Sequence, residues 1–502
     1  MHIPALSDAA RTARAARDGL VERWLTLSVG LIALVLAFAM GQVAATGNYI
    51  LAGAGLGLLI VLCLMAVPAV SVWAIIVLPL GLSGLLALIG PIGSKFTWVV
   101  SILSVILLGP SLVAMAWRRR VPGYVWLALG FMVYAVLVSV VAGVDIKQLV
   151  AGFKRYFQGY GLLLALAALS FSATQVDRWR KAFGVIALAQ FPMCLFQLLV
   201  LVRLRGGIAA GGEATDVVAG TFGGNLQGGS NGSDLALYQM MALSFMLAYA
   251  SQGVYSLRQR MLTLLLVAAP LAMGETKVVV LMLPLCIFGV YAEKLIQHPG
   301  RLLGAIVGVG LASLGLAVVY AELFMGITLG DMVDNAIRYN FKDVGYGMLL
   351  LNRWTSITFW FDNHSIDNIP SWFFGHGLSA SYSSMFRGES GHVAEHYLGF
   401  GIDLTTISAT LWDLGFIGLM WLIAIPAVAI IKAHRLAQAS ADASVRAEAI
   451  GIRTTLLMSL LYLPYNNSLV NLITTEVIVA ALLGYLAILL RHHEQAPALP
   501  DR

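Results

Sequence analysis

The chain is poor in charged residues. Asp, Glu, Lys and Arg make up only 11% of its 502 residues, whereas soluble domains average about 25%. So few charges leave no room for a large soluble catalytic or nucleotide-binding domain. Hydrophobic residues reach 59% and the mean hydropathy is +0.86, which predicts an integral membrane protein.

Cysteine is equally scarce. Cys63, Cys194 and Cys286 all fall inside apolar stretches, which excludes a disulfide framework and a cysteine-based metal site. The N-terminal segment, residues 1–24, contains ARTARAARDGLVERW and lacks a small-residue cleavage site after a short apolar core. We predict that this segment stays attached and lies in the cytoplasm.

Long apolar runs fill most of the chain. Each run has about the 20 residues that a membrane-spanning helix needs, and together they predict an all-α, polytopic bundle of about 12–14 spans. The runs are 25–45, 49–67, 69–90, 97–117, 123–143, 156–173, 182–202, 233–252, 258–273, 276–293, 302–325, 404–431, 454–472 and 473–490.

The basic residues predict the orientation. With both termini inside, 20 of the 31 Lys and Arg residues lie in cytoplasmic segments, as the positive-inside rule requires. Because these residues are scattered between apolar runs, the net charge of +6 does not indicate a nucleic-acid partner. The predicted division is 1–24 cytoplasmic, 25–325 with eleven spans, 326–403 a large periplasmic loop, 404–490 the last spans, and 491–502 a cytoplasmic tail.

A first long outer connection, 203–232, is rich in glycine. Ten glycines occur between Gly206 and Gly232, but no GK[ST] follows, so the segment is not a phosphate-binding P-loop. Its simplest interpretation is a flexible link. Ser233 and Asp234 then predict an N-cap for the next helix.

The second long connection, 326–403, carries the richest chemistry. It holds four of the nine histidines and many aromatics, a composition that argues against disorder, so we expect it to fold as a cap. On a helix, His392 and His396 would share one face and could bind a metal. We favour an acid–base or hydrogen-bonding role for them and predict no metal site.

A few ionisable residues fall at membrane depth, where charge is costly and by default marks function. Glu275 and Lys277 lie at a turn and can pair with each other. Asp403 and Glu476 are near helix ends and can be interfacial. Asp413 lies about ten residues into its run, where it either serves the function or caps a neighbouring helix.

Three segments between about 200 and 430 carry a family resemblance. AGTFGGNLQGGSNGSDLALY resembles a "G-T-F … N … G … L-A" pattern at the start of a helix. NRWTSITFWFDN with PSWFFGHGLSASYSS resembles an "R … W … P … G-x-G" loop segment, and TLWDLGFIGLMW resembles an acidic "E-x-G-x-x-G" helix start. In order and sidedness these patterns resemble the O-antigen ligase and polymerase superfamily of bacterial envelope polysaccharide synthesis.

The resemblance implies a glycosyltransferase that uses a polyprenyl-diphosphate-linked glycan, needs no metal or cofactor, and lies in the bacterial inner membrane with its site facing the periplasm. It implies that Arg353 binds the diphosphate, with Arg155, Arg203, Arg205 and Lys277 as further cations. For the catalytic base we expect His396 or Asp403, then His376, with Glu395 last. Orienting or structural roles fall to Asp413, Glu275, Gly375, Gly377, Gly415 and Gly418.

One departure from the family pattern favours a polymerase over a ligase. Counting back from Gly415 to the place where ligases of the family carry a histidine reaches Leu404, beside Asp403. A ligase that transfers glycan to a lipid acceptor and a lipid-linked saccharide transporter or flippase remain the alternatives. The expected partners are the lipid-linked oligosaccharide, membrane lipid, and a chain-length regulator or export proteins.

Overall fold

The computed structural model of the protein is all-α, as predicted. It describes residues 49–88, 95–117, 121–207, 216–223, 231–274, 278–298, 328–342, 345–347, 349–383 and 390–495, together with scattered residues between 30 and 41 and between 300 and 322. Among these residues there is no strand.

Six described helices are long and apolar enough to cross a membrane. Two of them continue through a π-helical segment, Leu78–Leu82 or Gln197–Leu201, so each of these two spans combines two α-helices. The helices of the six spans are α2 Pro68–Val77, α3 Ser83–Leu88, α4 Phe96–Trp117, α5 Gly123–Val141, α8 Ala173–Phe196, α9 Val202–Leu204, α16 Thr406–Ala439 and α20 Ile473–Gln495.

The other described helices are shorter, less apolar or part of the segment 328–403. They are α1 Tyr49–Ala66, α6 Ile146–Phe157, α7 Tyr160–Ala168, α10 Gly232–Ser251, α11 Leu257–Met273, α12 Val279–Ile296, α13 Leu329–Phe341, α14 Arg353–Asn363, α15 Ile369–Phe374, α17 Ala443–Ser459, α18 Tyr462–Tyr465 and α19 Ser468–Asn471.

The predicted span 156–173 is not one helix. The chain breaks at Gln158 and Gly159, between α6 and α7. With nine residues, α7 is about 14 Å long, roughly half of the hydrocarbon thickness. The helix before the break, α6, carries both cations and apolar residues, and Asp145 caps its start by accepting hydrogen bonds from the backbone of Lys147 and Gln148.

The bundle has two chemically different ends. The first, which we call the loop end, carries the segment 328–403, α6 and the short helices α18 and α19. The second, which we call the basic end, carries Arg180, Arg453 and Arg491. The guanidinium of Arg491 donates to the carbonyls of Leu166, Ala167 and Leu169, where α7 ends, so the C-terminal end of α7 lies at the basic end beside α20.

The buried helix α20 lies at the centre, with 83% of its apolar window inside the protein. It fixes the start of α10. The cap at this start differs from the predicted one, which placed Ser233 and Asp234 at the N-cap. Asn231 occupies the N-cap position without a side-chain cap bond. The carboxylate of Asp234 instead accepts hydrogen bonds from the hydroxyls of Thr474 and Thr475, which ties two helices together inside the bundle.

Candidate functional site

The site is built around two glycines that press against each other. Gly415 has φ 67° and ψ −169°, a non-helical conformation that breaks α16 into two helices. Gly375, at the end of α15, has φ 71° and ψ −152°. Only glycine adopts such angles readily. A Cβ on Gly415 would lie 2.4 Å from the carbonyl carbon of Phe373, and one on Gly375 would lie 2.6 Å from the nitrogen of Gly415.

This contact places Asp413 just before a helix break, instead of deep in a continuous helix. The backbone N–H of His376 donates to the carbonyl of Trp412 at 3.0 Å, and that of Gly377 to the carbonyl of Asp413 at 2.7 Å. Gly418 follows one turn later, where a Cβ would lie 2.3 Å from Cβ of Leu414. The glycines therefore lock the segment after α15 onto the break in α16.

The Asp413 carboxylate organises that segment. One oxygen accepts hydrogen bonds from the backbone of Ser379 at 3.0 Å and from the hydroxyl of Tyr156 at 2.9 Å. The other oxygen accepts from the backbone of Ser381 at 2.7 Å. Asp413 is buried, and these three donors satisfy a carboxylate that burial alone would penalise. It caps a loop, and its oxygens are engaged there.

Arg155 projects from α6 against the same loop. Its Nη1 donates to the hydroxyl of Ser379 at 3.0 Å, and its guanidinium stacks on the ring of Tyr382. Ser379 has φ 58°, the one positive value among the described residues other than glycine. Such strain is found where surrounding contacts over-determine the backbone, often at functional sites. Among the described residues, Ser379 is the only hydrogen-bond acceptor of the Arg155 side chain.

Asp403 contacts the same loop one residue after Tyr382, whereas Asp413 contacts it one residue before. Its carboxylate accepts a hydrogen bond from the backbone of Ser383 at 3.2 Å, and its carbonyl accepts from the amide of Asn467. Burial raises the pKa of Asp403 to about 6, against a smaller opposing effect of Arg155. Near neutral pH, a carboxylate with that pKa can accept a proton. We call Arg155, Ser379, Tyr382, Asp403 and Asp413 the Arg155 site.

Two histidines form a direct pair beside this site. Nε2 of His364 lies 3.0 Å from Nε2 of His376, and Nδ1 of His364 lies 3.0 Å from the carbonyl of Trp360. A carbonyl accepts only, so Nδ1 of neutral His364 carries the proton and His376 donates to His364. Burial lowers the pKa of His376 to about 4, helped by His364 and His392. His376 is therefore neutral at ordinary pH, and it is a weaker base than Asp403.

The other two histidines of this segment are exposed. Nδ1 of His392 lies 3.2 Å from the amide oxygen of Gln148, and that amide donates to the carbonyl of Leu378. Nδ1 of His396 lies 2.8 Å from the carbonyl of His392. The local helix is a short 3-10 turn, Ala394–Tyr397, so the two rings do not share one face of an α-helix as the metal alternative supposed.

Arg353, the first expected diphosphate ligand, is largely engaged by the protein. Its Nε donates to the carbonyl of Tyr465 and its Nη1 donates to Asn340 at 2.7 Å. The rings of Tyr346 and Tyr465 each lie 4.4 Å from its guanidinium. Such a position suits an arginine that holds α13, α14 and α18 together. Among the described residues, Arg353 thus has two hydrogen-bond acceptors, whereas Arg155 has one.

Two of the remaining predicted cations, Arg203 and Arg205, lie in or just after α9. Arg203 is exposed in α9, and Arg205 follows where that helix ends. No described contact joins Arg203 to the Arg155 site. Glu275 and Lys277 lie outside the described residues.

Glu476, which lies near a helix end as the sequence indicated, is buried among helices and only 5% exposed. Its Oε1 accepts a hydrogen bond from the amide of Gln158 at 2.6 Å, while its Oε2 and the oxygen of Gln158 have no hydrogen-bond partner among the described residues. Glu476 borders a cavity of about 50 Å³. This carboxyl therefore lies between the break after α6 and the short helices α18 and α19.

Sequence reasoning missed the residues that orient the predicted ones. Ser379, Ser381, Tyr382 and Tyr156 hold Asp413 and Arg155, and His364 pairs with His376. The hydroxyl-rich run LSASYSS directly after the G-H-G triplet was the one available signal, since serines near glycines often bond to backbone and charged groups. Which hydroxyl meets which charge depends on the fold.

No family model matches this chain, and no curated protein matches it either. Within the described ranges, no group of three His, Cys, Asp or Glu side chains is placed to hold a metal ion. The Arg155 site is therefore the feature from which a function of this chain can be inferred.

Proposed function

We propose that the protein is a membrane glycosyltransferase that polymerises glycan repeat units carried on a polyprenyl diphosphate. The reaction takes place at the loop end, which faces the periplasm of a bacterial inner membrane in this proposal. One observation carries it. Arg155, which has a single hydrogen-bond acceptor among the described residues, stacks on Tyr382, and Asp403 accepts a hydrogen bond from the next residue of the same loop, which Asp413 fixes.

The chemistry needs one bond broken and one formed. The bond between the anomeric carbon and the diphosphate oxygen breaks, and the diphosphate leaves with the electron pair. An acceptor hydroxyl forms the new glycosidic bond and gives its proton to Asp403, whose pKa of about 6 suits that role. Arg155 neutralises the departing diphosphate, because a guanidinium presents several N–H donors to phosphate oxygens.

The other residues have positioning roles in this scheme. Asp413 fixes the backbone of Ser379, and Ser379 in turn holds Arg155. Tyr382 stacks on the guanidinium and limits its rotation. Arg353 braces the loop from α14, and the neutral pair of His364 and His376 supports the segment that follows α15.

The test uses the purified protein with a lipid-linked oligosaccharide as the only substrate. A ladder of product lengths that disappears in Arg155→Ala supports the polymerase. Transfer of a single glycan to a second lipid indicates the ligase instead. An unchanged oligosaccharide with properly folded protein contradicts both enzymes.

A transporter for a lipid-linked saccharide is the second candidate, and one observation favours it. Transporters often place an ionisable group where two helices break near the middle of the membrane. Glu476 lies between the break after α6 and the short helices α18 and α19. Movement of labelled lipid-linked saccharide across a proteoliposome membrane, lost in Glu476→Gln, is the result that would favour this function.

A further inference from the structure

One face of α13 is apolar and uncovered. Val333, Ile337 and Phe341 follow each other at intervals of four residues, and 45%, 41% and 62% of their surfaces are exposed. Residues four apart lie on the same face of a helix. The three side chains therefore form a stripe along the whole helix, which we call the α13 stripe.

Trp354, at the start of α14, continues this stripe. Its ring lies 6.4 Å from the ring of Phe341, and 52% of its surface is exposed. The neighbouring face of α13 is polar and holds the exposed residues Asp331, Asp334, Asn335 and Arg338. An apolar stripe beside a charged face is the pattern of helices that lie in the plane of a membrane interface.

The chain itself brings α13 to a membrane boundary. The apolar run 302–325 ends just before Thr328, the N-cap residue of α13. Leu303, Val307 and Leu311 in that run are also exposed, as lipid-facing side chains are. A helix that starts within one turn of the end of such a run lies close to the lipid headgroups.

Another protein is a less suitable partner for the α13 stripe than lipid is. Its four side chains expose at most a few hundred Å², below the roughly 800 Å² that each partner contributes to a stable interface. The adjacent polar face carries two acidic and two basic residues, if Lys342 is included with Arg338, so it does not select a partner of one charge. Tryptophan is also enriched where proteins meet headgroups.

We propose that α13 lies in the interface of the bilayer that the bundle spans, with the α13 stripe buried at the boundary between headgroups and acyl chains. The helix then holds Arg353 at the depth of the lipid phosphates, because Asn340 accepts a hydrogen bond from Arg353 and Phe341 packs against Trp354. This placement does not depend on the proposed function.

Spin labels measure the depth directly. Single cysteines are introduced at Val333, Ile337 and Phe341, with matched controls at the exposed positions Asp331 and Asn335, which lie furthest round the helix from the stripe, in a Cys63→Ser background. Cys63 is exposed, whereas Cys194 and Cys286 are buried. The labelled full-length protein is placed in phosphatidylethanolamine and phosphatidylglycerol nanodiscs, and relaxation by oxygen and by a water-soluble nickel chelate is compared.

We expect oxygen to dominate at the three stripe positions, at a depth of about 5–10 Å, and the nickel chelate to dominate at the two controls. Equal access of the nickel chelate to all five positions would place α13 in water and overturn the proposal. Protection of the stripe from both reagents would show a protein covering it and would also overturn the proposal. Neither outcome bears on whether the protein polymerises glycans.

Discussion

The two ends of the bundle use buried charge differently. At the basic end, Glu448 accepts hydrogen bonds from Arg180 at 2.7 Å, from Tyr249 at 2.6 Å and from Tyr485 at 2.7 Å. At the loop end, Arg155 has a single hydrogen-bond acceptor among the described residues and Asp403 has one backbone donor. The protein thus supplies three donors to Glu448, whereas it supplies one acceptor to Arg155 among the described residues.

This difference separates an anchoring role from a binding role. A charge whose partners all belong to the protein fixes helices in place, and its loss costs stability. A charge held in position with donors to spare is able to bind an external ion, and its loss costs function. The comparison therefore predicts that substitutions at the two ends act on different measurements.

The largest expected effect is that of Arg155→Ala on activity. Removing a cation that neutralises a leaving diphosphate should reduce polymer formation by about 100-fold or more, with an unchanged melting temperature. Arg155→Lys should recover only part of the loss, because an ammonium lacks the guanidinium fork. Product ladders from a lipid-linked oligosaccharide provide the measurement, and the exposed Arg203→Ala is the control. Normal ladders from Arg155→Ala would remove Arg155 from the reaction.

The next effect is structural and concerns the contact between Gly415 and the end of α15. Gly415→Ala should destabilise the fold by more than about 2 kcal/mol, since it adds a Cβ at a positive φ against backbone. Gly184→Ala, inside α8 with nothing within 4 Å of its Cβ, should be neutral or stabilising by up to about 1 kcal/mol. Thermal unfolding in detergent compares the two. Equal melting temperatures would show that the helix break does not need glycine.

At the basic end, Glu448→Gln should lower the free energy of unfolding by about 1–3 kcal/mol, because charged hydrogen bonds are lost. The activity of each folded molecule should remain. Thermal unfolding and ladder assays on the same preparation separate these quantities. A folded Glu448→Gln protein without activity would contradict the division between the two ends.

The smallest effect is a pH dependence. A base with a pKa of about 6 is about tenfold less ionised at pH 5 than at pH 7, so kcat/KM should rise about tenfold between these values. Because the pKa is raised, folded Asp403 still binds a proton between about pH 4 and 6, where the unfolded chain has already released it. The contribution of Asp403 to the free energy of unfolding therefore falls as the pH rises through that window. A flat rate profile across this range would exclude Asp403 as the base.

The sequence predicted part of the candidate site. It singled out the G-H-G triplet in one motif and Asp413 with Gly415 in another, and the fold brings the two motifs into backbone contact. It ranked Arg353 above Arg155, because the family resemblance said nothing about the tyrosine rings that enclose Arg353. It also allowed an interfacial position for Glu476, because a position near a helix end does not reveal that neighbouring helices cover it.

The sequence by itself determined the membrane class, the all-α architecture and the positions of most apolar helices, because these follow from composition and from the length of each run. The tertiary structure alone decided where helices break, as at Gln158 and Gly415, since a break depends on the backbone that packs against it. It also decided which groups partner each charge. Arg155 and its partner Ser379 are more than 200 positions apart in the chain. A local sequence pattern cannot predict a contact between residues so far apart.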